Sequence, residues 1–215
     1  MIKKLMLLGA ISYSFISFAQ EKITISPAVG YAWRIAQTPS GLSRDEKKYL
    51  EGLKNGVNFE IAAYYNIKNM GIGAKFSNFS SSSSGTLKGY DVNVQRVSAH
   101  VSTKDNITFF GPSVMFSNYN EAASRHKFAA DVSLGVITYT TKTGAIKGTG
   151  SNLGLEAGIG YQYAVSKNFL IGPKFGITAG TLGKVKIDGR SYELPDDQKE
   201  GLTRISLSAA AAFRF

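Results

Sequence analysis

The chain has 215 residues, 43% hydrophobic, 19% charged and 12% aromatic, with 23 glycines, five prolines and no cysteine. Lack of cysteine excludes disulfide scaffolds, thiolate-bound zinc and thiol catalysis, and two histidines make a His-rich metal site a poor expectation. The net charge of +10 and the low proline content do not fit a disordered chain.

The first nineteen residues read as a targeting segment. Lys3 and Lys4 precede a mostly apolar stretch over residues 5–18, and Ser17 and Ala19 put small residues at the −3 and −1 positions of a cleavage site. This is the layout of a secretory signal peptide, with cleavage expected between Ala19 and Gln20. The expected domains are a signal peptide over 1–19 and one exported domain over 20–215. Past this point no apolar run reaches the ~18 residues that a membrane helix needs.

Alternation of apolar and polar residues then runs through nearly the whole chain, predicting eight strands. The first (23–35) sets Ile23, Ile25, Val29, Tyr31, Trp33 and Ile35 against Thr24, Ser26, Gly30 and Arg34. The second (57–65) sets Val57, Phe59, Ile61, Ala63 and Tyr65 against Asn58, Glu60 and Tyr64. The third (70–77) opposes Met70, Ile72, Ala74 and Phe76 to Gly71, Gly73, Lys75 and Ser77. The fourth (109–117) has Phe110, Val114 and Phe116 opposite Gly111, Ser113 and Ser117. The fifth (128–138) has Phe128, Ala130, Val132, Leu134 and Val136 opposite Asp131, Ser133 and Gly135. The sixth (153–165) places Leu153, Leu155, Ile159, Tyr161, Tyr163 and Val165 opposite Glu156, Gly158, Gly160 and Gln162. The seventh (169–180) places Phe169, Ile171, Phe175 and Ile177 opposite Lys174, Gly176 and Thr178. The eighth (204–215) places Ile205, Leu207, Phe213 and Phe215 opposite Arg204, Ser206, Ser208 and Arg214. No helical period competes over comparable lengths.

The charges within these strands are Arg34, Glu60, Lys75, Asp131, Glu156, Lys174, Arg204 and Arg214, and all fall on the small, polar faces. A soluble barrel would expose those faces, although glycine is a poor residue for an exposed strand. A transmembrane barrel inverts the arrangement. Its bulky apolar face meets lipid, and glycine, serine and paired charges fill a narrow lumen. The expected fold is therefore all-β: an eight-stranded antiparallel transmembrane barrel. Tyr65, Phe116, Phe128, Tyr161, Tyr163, Phe169, Phe213 and Phe215 form an aromatic girdle at one end, with Tyr31 and Trp33 the best members at the other.

Connections alternate in length. Residues 66–69, 118–125 and 166–168 are short turns, and 37–55, 80–106, 141–151 and 182–201 are long outer connections. Residues 90–102 also alternate; they are read as part of a long outer hairpin between the third and fourth strands, because a ninth strand would break the even count. Pro27, Pro112 and Pro173 each remove a ladder donor, and local bulges are expected there.

The mature chain resembles the small outer-membrane β-barrels, the eight-stranded OmpA/OmpX-like proteins. The most specific feature is the last stretch, where Leu207, Ala209, Ala211, Phe213 and Phe215 alternate to a terminal aromatic. This looks like the family's assembly signal, and a strand with a single-sided apolar face can pair with a template. The Phe-Gly-Pro-Ser and Ile-Gly-Pro-Lys pieces beginning at Phe110 and Ile171 also look like family strand pieces. The resemblance implies the bacterial outer membrane, with membrane lipid and, during biogenesis, the barrel-assembly machinery as partners. It also implies a monomer without cofactor.

Chemistry candidates are few. His100 and Ser102 share a strand face, as in lipid-modifying barrels, but no acid is identifiable to orient the imidazole. Lys142, Lys147, Lys184, Lys186 and Arg190 lie in outer loops, either as a solvated surface or against lipid phosphates. Export and the barrel pattern exclude nucleic acid as the partner, and no glycine-rich phosphate loop is present. The expected function is non-enzymatic, contributing to envelope structure or to surface interaction through the outer loops. A lipid-modifying enzyme and a barrel transporting small solutes or apolar ligands remain the alternatives.

Overall fold

A computed structural model describes residues 21–35, 41–90, 96–121, 123–195 and 200–215. The expected signal peptide and its cleavage point at Ala19 and Gln20 lie outside these residues. Six long strands follow in order: β1 (Ile23–Arg34), β2 (Asn55–Ile67), β3 (Met70–Tyr90), β4 (Arg96–Ser117), β5 (His126–Thr143) and β6 (Ile146–Ala164). They are followed by β7 (Phe169–Leu182), the short β8 (Lys184–Ile187), β9 (Arg190–Glu193) and β10 (Glu200–Gly201), and then β11 (Arg204–Arg214). Each of β1 to β6 pairs antiparallel with the next, and β11 joins β7 to β1, which closes an eight-stranded barrel. Closure removes the exposed edges that an open sheet would present. No described helix is long and apolar enough to cross a membrane.

The two ends differ because the hairpins differ. At one end β2 and β3 turn through Lys68, at φ 56°, between the paired Ile67 and Met70. At the other end β3 and β4 stay paired as far as Tyr90↔Arg96. The segment 141–151, expected as a loop, is strand: β5 and β6 pair out to Thr143↔Ile146 and turn at Gly144, whose φ of 59° suits glycine. Asp188 and Gly189, both at positive φ, make the tight β8–β9 turn that an Asp-Gly pair favours.

The first outer connection contains a helix that the period-two reading missed, α1 (Arg44–Lys54). Its start carries a capping box. Glu46 N–H donates to the Ser43 hydroxyl at 3.4 Å, and Ser43 N–H donates to the Glu46 carboxylate at 2.8 Å. Asp45 and Glu46 in the first turn and Lys54 in the last complement the helix dipole. Tyr49 and Leu53 are its buried face. Tyr49 Oη lies 2.5 Å from Thr103 Oγ1, and Ser81 Oγ donates to the Leu53 carbonyl at 2.8 Å. Thus α1 packs on the inward face of the extended β3–β4 hairpin.

The expected bulges at proline are absent. The β1–β11 register is the same on either side of Pro27, from Ile25↔Phe213 to Ala28↔Ala210. The β4–β5 register is likewise unchanged across Pro112, from Phe110↔Val136 to Ser113↔Ser133, and the β6–β7 register across Pro173, from Gly160↔Lys174 to Tyr163↔Ile171. Each proline pairs regularly with its other neighbour: Ile61, Ala74 and Ala209. In an antiparallel ladder a residue directs its N–H and C=O to the same neighbour. A proline therefore opens one flank for a pair or two and leaves the register intact.

Candidate functional site

The wall separates two chemistries. Outside, Val29, Phe59, Phe110, Val132, Leu153, Ile159 and Leu207 are all exposed, while Thr24, Asn58, Lys75, Asp131, Glu156 and Arg204 are buried inside. Exposed apolar belts of this extent mark a surface that water does not solvate.

The eight charges singled out from sequence all point inward, and the mid-lumen holds six of them. Lys75 Nζ donates to Asp131 Oδ1 at 2.9 Å and lies 3.5 Å from Glu60 and 3.8 Å from Glu156. Lys174 Nζ pairs with Glu60 and lies 2.7 Å from Asp131. Arg204 Nη2 lies 3.8 Å from Glu156 and donates to Ser77 Oγ at 3.0 Å, and Ser77 Oγ donates to Glu156 at 2.7 Å. Three bases thus face three acids, which is what buried charge requires. Gly158 makes room for this layer: a Cβ there would sit 2.6 Å from Lys174 Cε and 3.0 Å from both Asp131 oxygens.

Arg34 and Arg214, at opposite ends, have partners that the strand reading did not include. Arg34 pairs with Asp105 at 3.5 Å and with Glu200, and Arg214 pairs with Glu21 at 2.5 Å. The lumen is therefore richer in acids than five bases against three acids suggested. Glu21, Asp105 and Glu200 all lie outside the strands predicted from sequence.

Nor is the lumen uniformly small and polar. At the outer end Ala32, Phe79, Ile107, Phe109, Ile137, Tyr139, Leu182 and Leu202 form one buried apolar cluster. At the inner end Ala62, Tyr64, Met115, Tyr119, Leu170 and Ala212 form another. Tyr119 belongs to the turn after β4, which folds into the barrel mouth. Its hydroxyl donates to Gln162 at 2.7 Å, and its carbonyl accepts from Arg214 at 2.8 Å. An ionic layer between two apolar layers fills the bore.

Outside the bore, His100 and Ser102 lie on β4 opposite Thr86 and Ser84, both exposed, with no side-chain hydrogen bond among the described residues. His126, exposed at the inner end, joins the aromatic girdle there. Its Nδ1 lies 2.7 Å from Tyr161 Oη, and its ring stacks on Tyr161 at 5.9 Å. On the outer β8–β9 hairpin Lys184 lies 2.7 Å from Glu193. That hydrogen bond and the attraction behind it hold the carboxyl below its ordinary range.

No protein-family model and no curated protein sequence matches the chain. Solved structures do. The crystal structure of neisserial surface protein A matches with a TM-score of 0.57 at 15% identity, over 90% of this chain and 97% of that one. A major outer membrane protein from Thermus thermophilus matches with a TM-score of 0.51 at 11% identity, over 90% and 98%. The fold is that of the eight-stranded bacterial outer-membrane barrels. With the apolar belt outside and the charges inside, the chain is an outer-membrane barrel protein.

Proposed function

We propose that this barrel is a closed, non-enzymatic element of the outer membrane that presents the β3–β4 hairpin and α1 as an interaction surface above the lipid. The observation that carries the reading is the three-layered filling of the lumen, which favours presentation over passage. The β3–β4 ladder reaches Tyr90↔Arg96 and α1 braces its inward face, so this hairpin is a supported platform rather than a loose loop. The exposed, unpartnered His100 and Ser102 are consistent with a polar surface there, since a catalytic pair needs mutual contact and an orienting third group.

Two measurements test the proposal together. Purified protein in a planar bilayer is expected to give no discrete conductance steps. On intact cells an external protease is expected to cut the hairpin between β3 and β4 while the barrel stays protected. Steady conductance, or a hairpin cut only after lysis, would refute it.

A further inference from the structure

The outward faces of β4, β5 and β6 change chemistry in register. An apolar row, Phe110↔Val136↔Leu153, is followed by Thr108↔Thr138↔Ser151, then Asn106↔Thr140↔Thr149, then Lys104↔Lys142↔Lys147. The intervening β4 residues Phe109, Ile107, Asp105 and Thr103 are buried inside, so these rows lie on the wall that carries the lipid-facing belt. Rows are two residues apart, so the lysines stand roughly 20 Å along the strands from the apolar row. With the usual strand tilt that is about 15 Å of height above it.

Three lysines side by side on neighbouring strands are unfavourable unless something neutralises them, because like charges opposite each other in a ladder repel. Among the described residues no carboxylate forms an ion pair with Lys104, Lys142 or Lys147. Asp188, the acid nearest in register, accepts the Lys147 backbone N–H at 3.3 Å. A groove adjoins the row where the outer end of β6 pairs with β8, at Gly148↔Ile187 and Thr149↔Lys186. It encloses about 370 Å³ and is lined by Thr138, Thr149, Ser151, Ser191, Lys184 and Lys186 among others. Lys186 continues the Asn106↔Thr140↔Thr149 row, which adds a fourth ammonium one step nearer the membrane.

We propose that the row Lys104–Lys142–Lys147, with Lys186 and the groove hydroxyls, binds the phosphorylated sugar headgroup of an outer-leaflet glycolipid. The order of the rows selects this ligand. Acyl chains lie against Phe110, Val136 and Leu153, sugar hydroxyls meet the threonines and serines, and phosphates meet the lysines. A soluble polyanion would use the last row alone. The inference rests on the membrane placement and outward orientation of the proposed function.

The test compares wild type with the triple variant Lys104→Gln, Lys142→Gln, Lys147→Gln in phosphatidylcholine nanodiscs. The control variant Lys22→Gln, Lys68→Gln, Lys167→Gln removes the same charge at the inner end. The probes are bisphosphorylated lipid A, its dephosphorylated form, and a soluble heparin oligosaccharide, each measured as bound ligand per barrel. Wild type and the control are expected to bind the phosphorylated lipid alike, and the triple variant about 100-fold more weakly. Dephosphorylated lipid is expected to bind wild type as weakly as the phosphorylated form binds the triple variant. Equal binding by the triple variant, equal binding of the dephosphorylated lipid, or binding of the oligosaccharide without the lipid would each overturn the proposal. Heat-dependent gel mobility checks that each variant is folded, and Lys142→Gln alone, with a several-fold loss expected, serves if the triple variant is not. If wild type itself fails to insert, the membrane reading fails and not this one.

Discussion

At the scale of single residues the two faces of one strand give the sharpest test. Val132 is 52% exposed and its neighbour Ser133 is 1% exposed. Val132→Arg places a charge in lipid and is expected to cost roughly 2–4 kcal/mol of barrel stability if Val132 sits near the midplane. From alternation alone Ser133→Arg reads as the milder change, provided the lumen has room. The side chains around it reverse that. Ser133 Oγ donates to Ser113 Oγ at 2.8 Å, and Tyr64 Oη lies 3.0 Å from the same oxygen. A guanidinium there has to displace this cluster, and its cross-strand neighbour Glu156 already faces Lys75 and Arg204. Both variants are expected to lower the temperature at which the gel mobility shift is lost. A wild-type shift for Ser133→Arg would mean that the lumen is looser than these contacts imply. The phase of each strand was legible because one face meets lipid along the whole crossing. The filling of the lumen was not, because alternation reports which side a residue faces and not how much space it finds there.

At the scale of elements, the strands were legible and α1 was not. A long period-two pattern persists over a strand crossing the membrane, whereas α1 spans eleven residues and buries only Tyr49 and Leu53. The available signal was local: Ser43 three residues ahead of Glu46, with acids in the first turn and a lysine in the last. Removing the capping hydroxyl with Ser43→Ala is expected to destabilise α1 by about 1 kcal/mol. The barrel should be unaffected, since Ser43 lies outside every strand. Amide hydrogen exchange is the suitable readout. Exchange should quicken over residues 46–50 and stay unchanged in β2 and β3. Equal quickening in β3 would show that α1 and the hairpin fold as one unit. The prolines teach the same lesson from the other side. Composition announced a break in the ladder, but the antiparallel geometry confined it to one flank of each strand, so no bulge was needed.

At the scale of the whole molecule, the barrel is closed more than once along its axis. The outer seal uses apolar residues on the inward face, among them Phe79, Phe109 and Ile137. They escaped the sequence reading because residues 106–110, Asn-Ile-Thr-Phe-Phe, put bulky apolar groups on both faces and blur the alternation. The middle seal is electrostatic, with Asp131 holding both Lys75 and Lys174. The two seals respond differently to mutation. Phe79→Ala with Phe109→Ala empties the outer layer at roughly 3–5 kcal/mol for each ring, yet the ionic layer beneath remains occupied. The double variant is expected to unfold at lower temperature and still give no conductance in a planar bilayer. Asp131→Asn is expected to destabilise by roughly 3–5 kcal/mol as well, because it leaves two buried ammonium groups short of a partner. The apolar layers on either side would keep it non-conducting. Combining all three substitutions removes the outer seal and loosens the middle one, leaving the Tyr64–Tyr119–Leu170 layer as the last barrier. If either the double or the single variant conducts, the two layers left in place do not seal. Silence of both, and of the triple variant as well, would establish that the inner layer alone suffices to close the lumen.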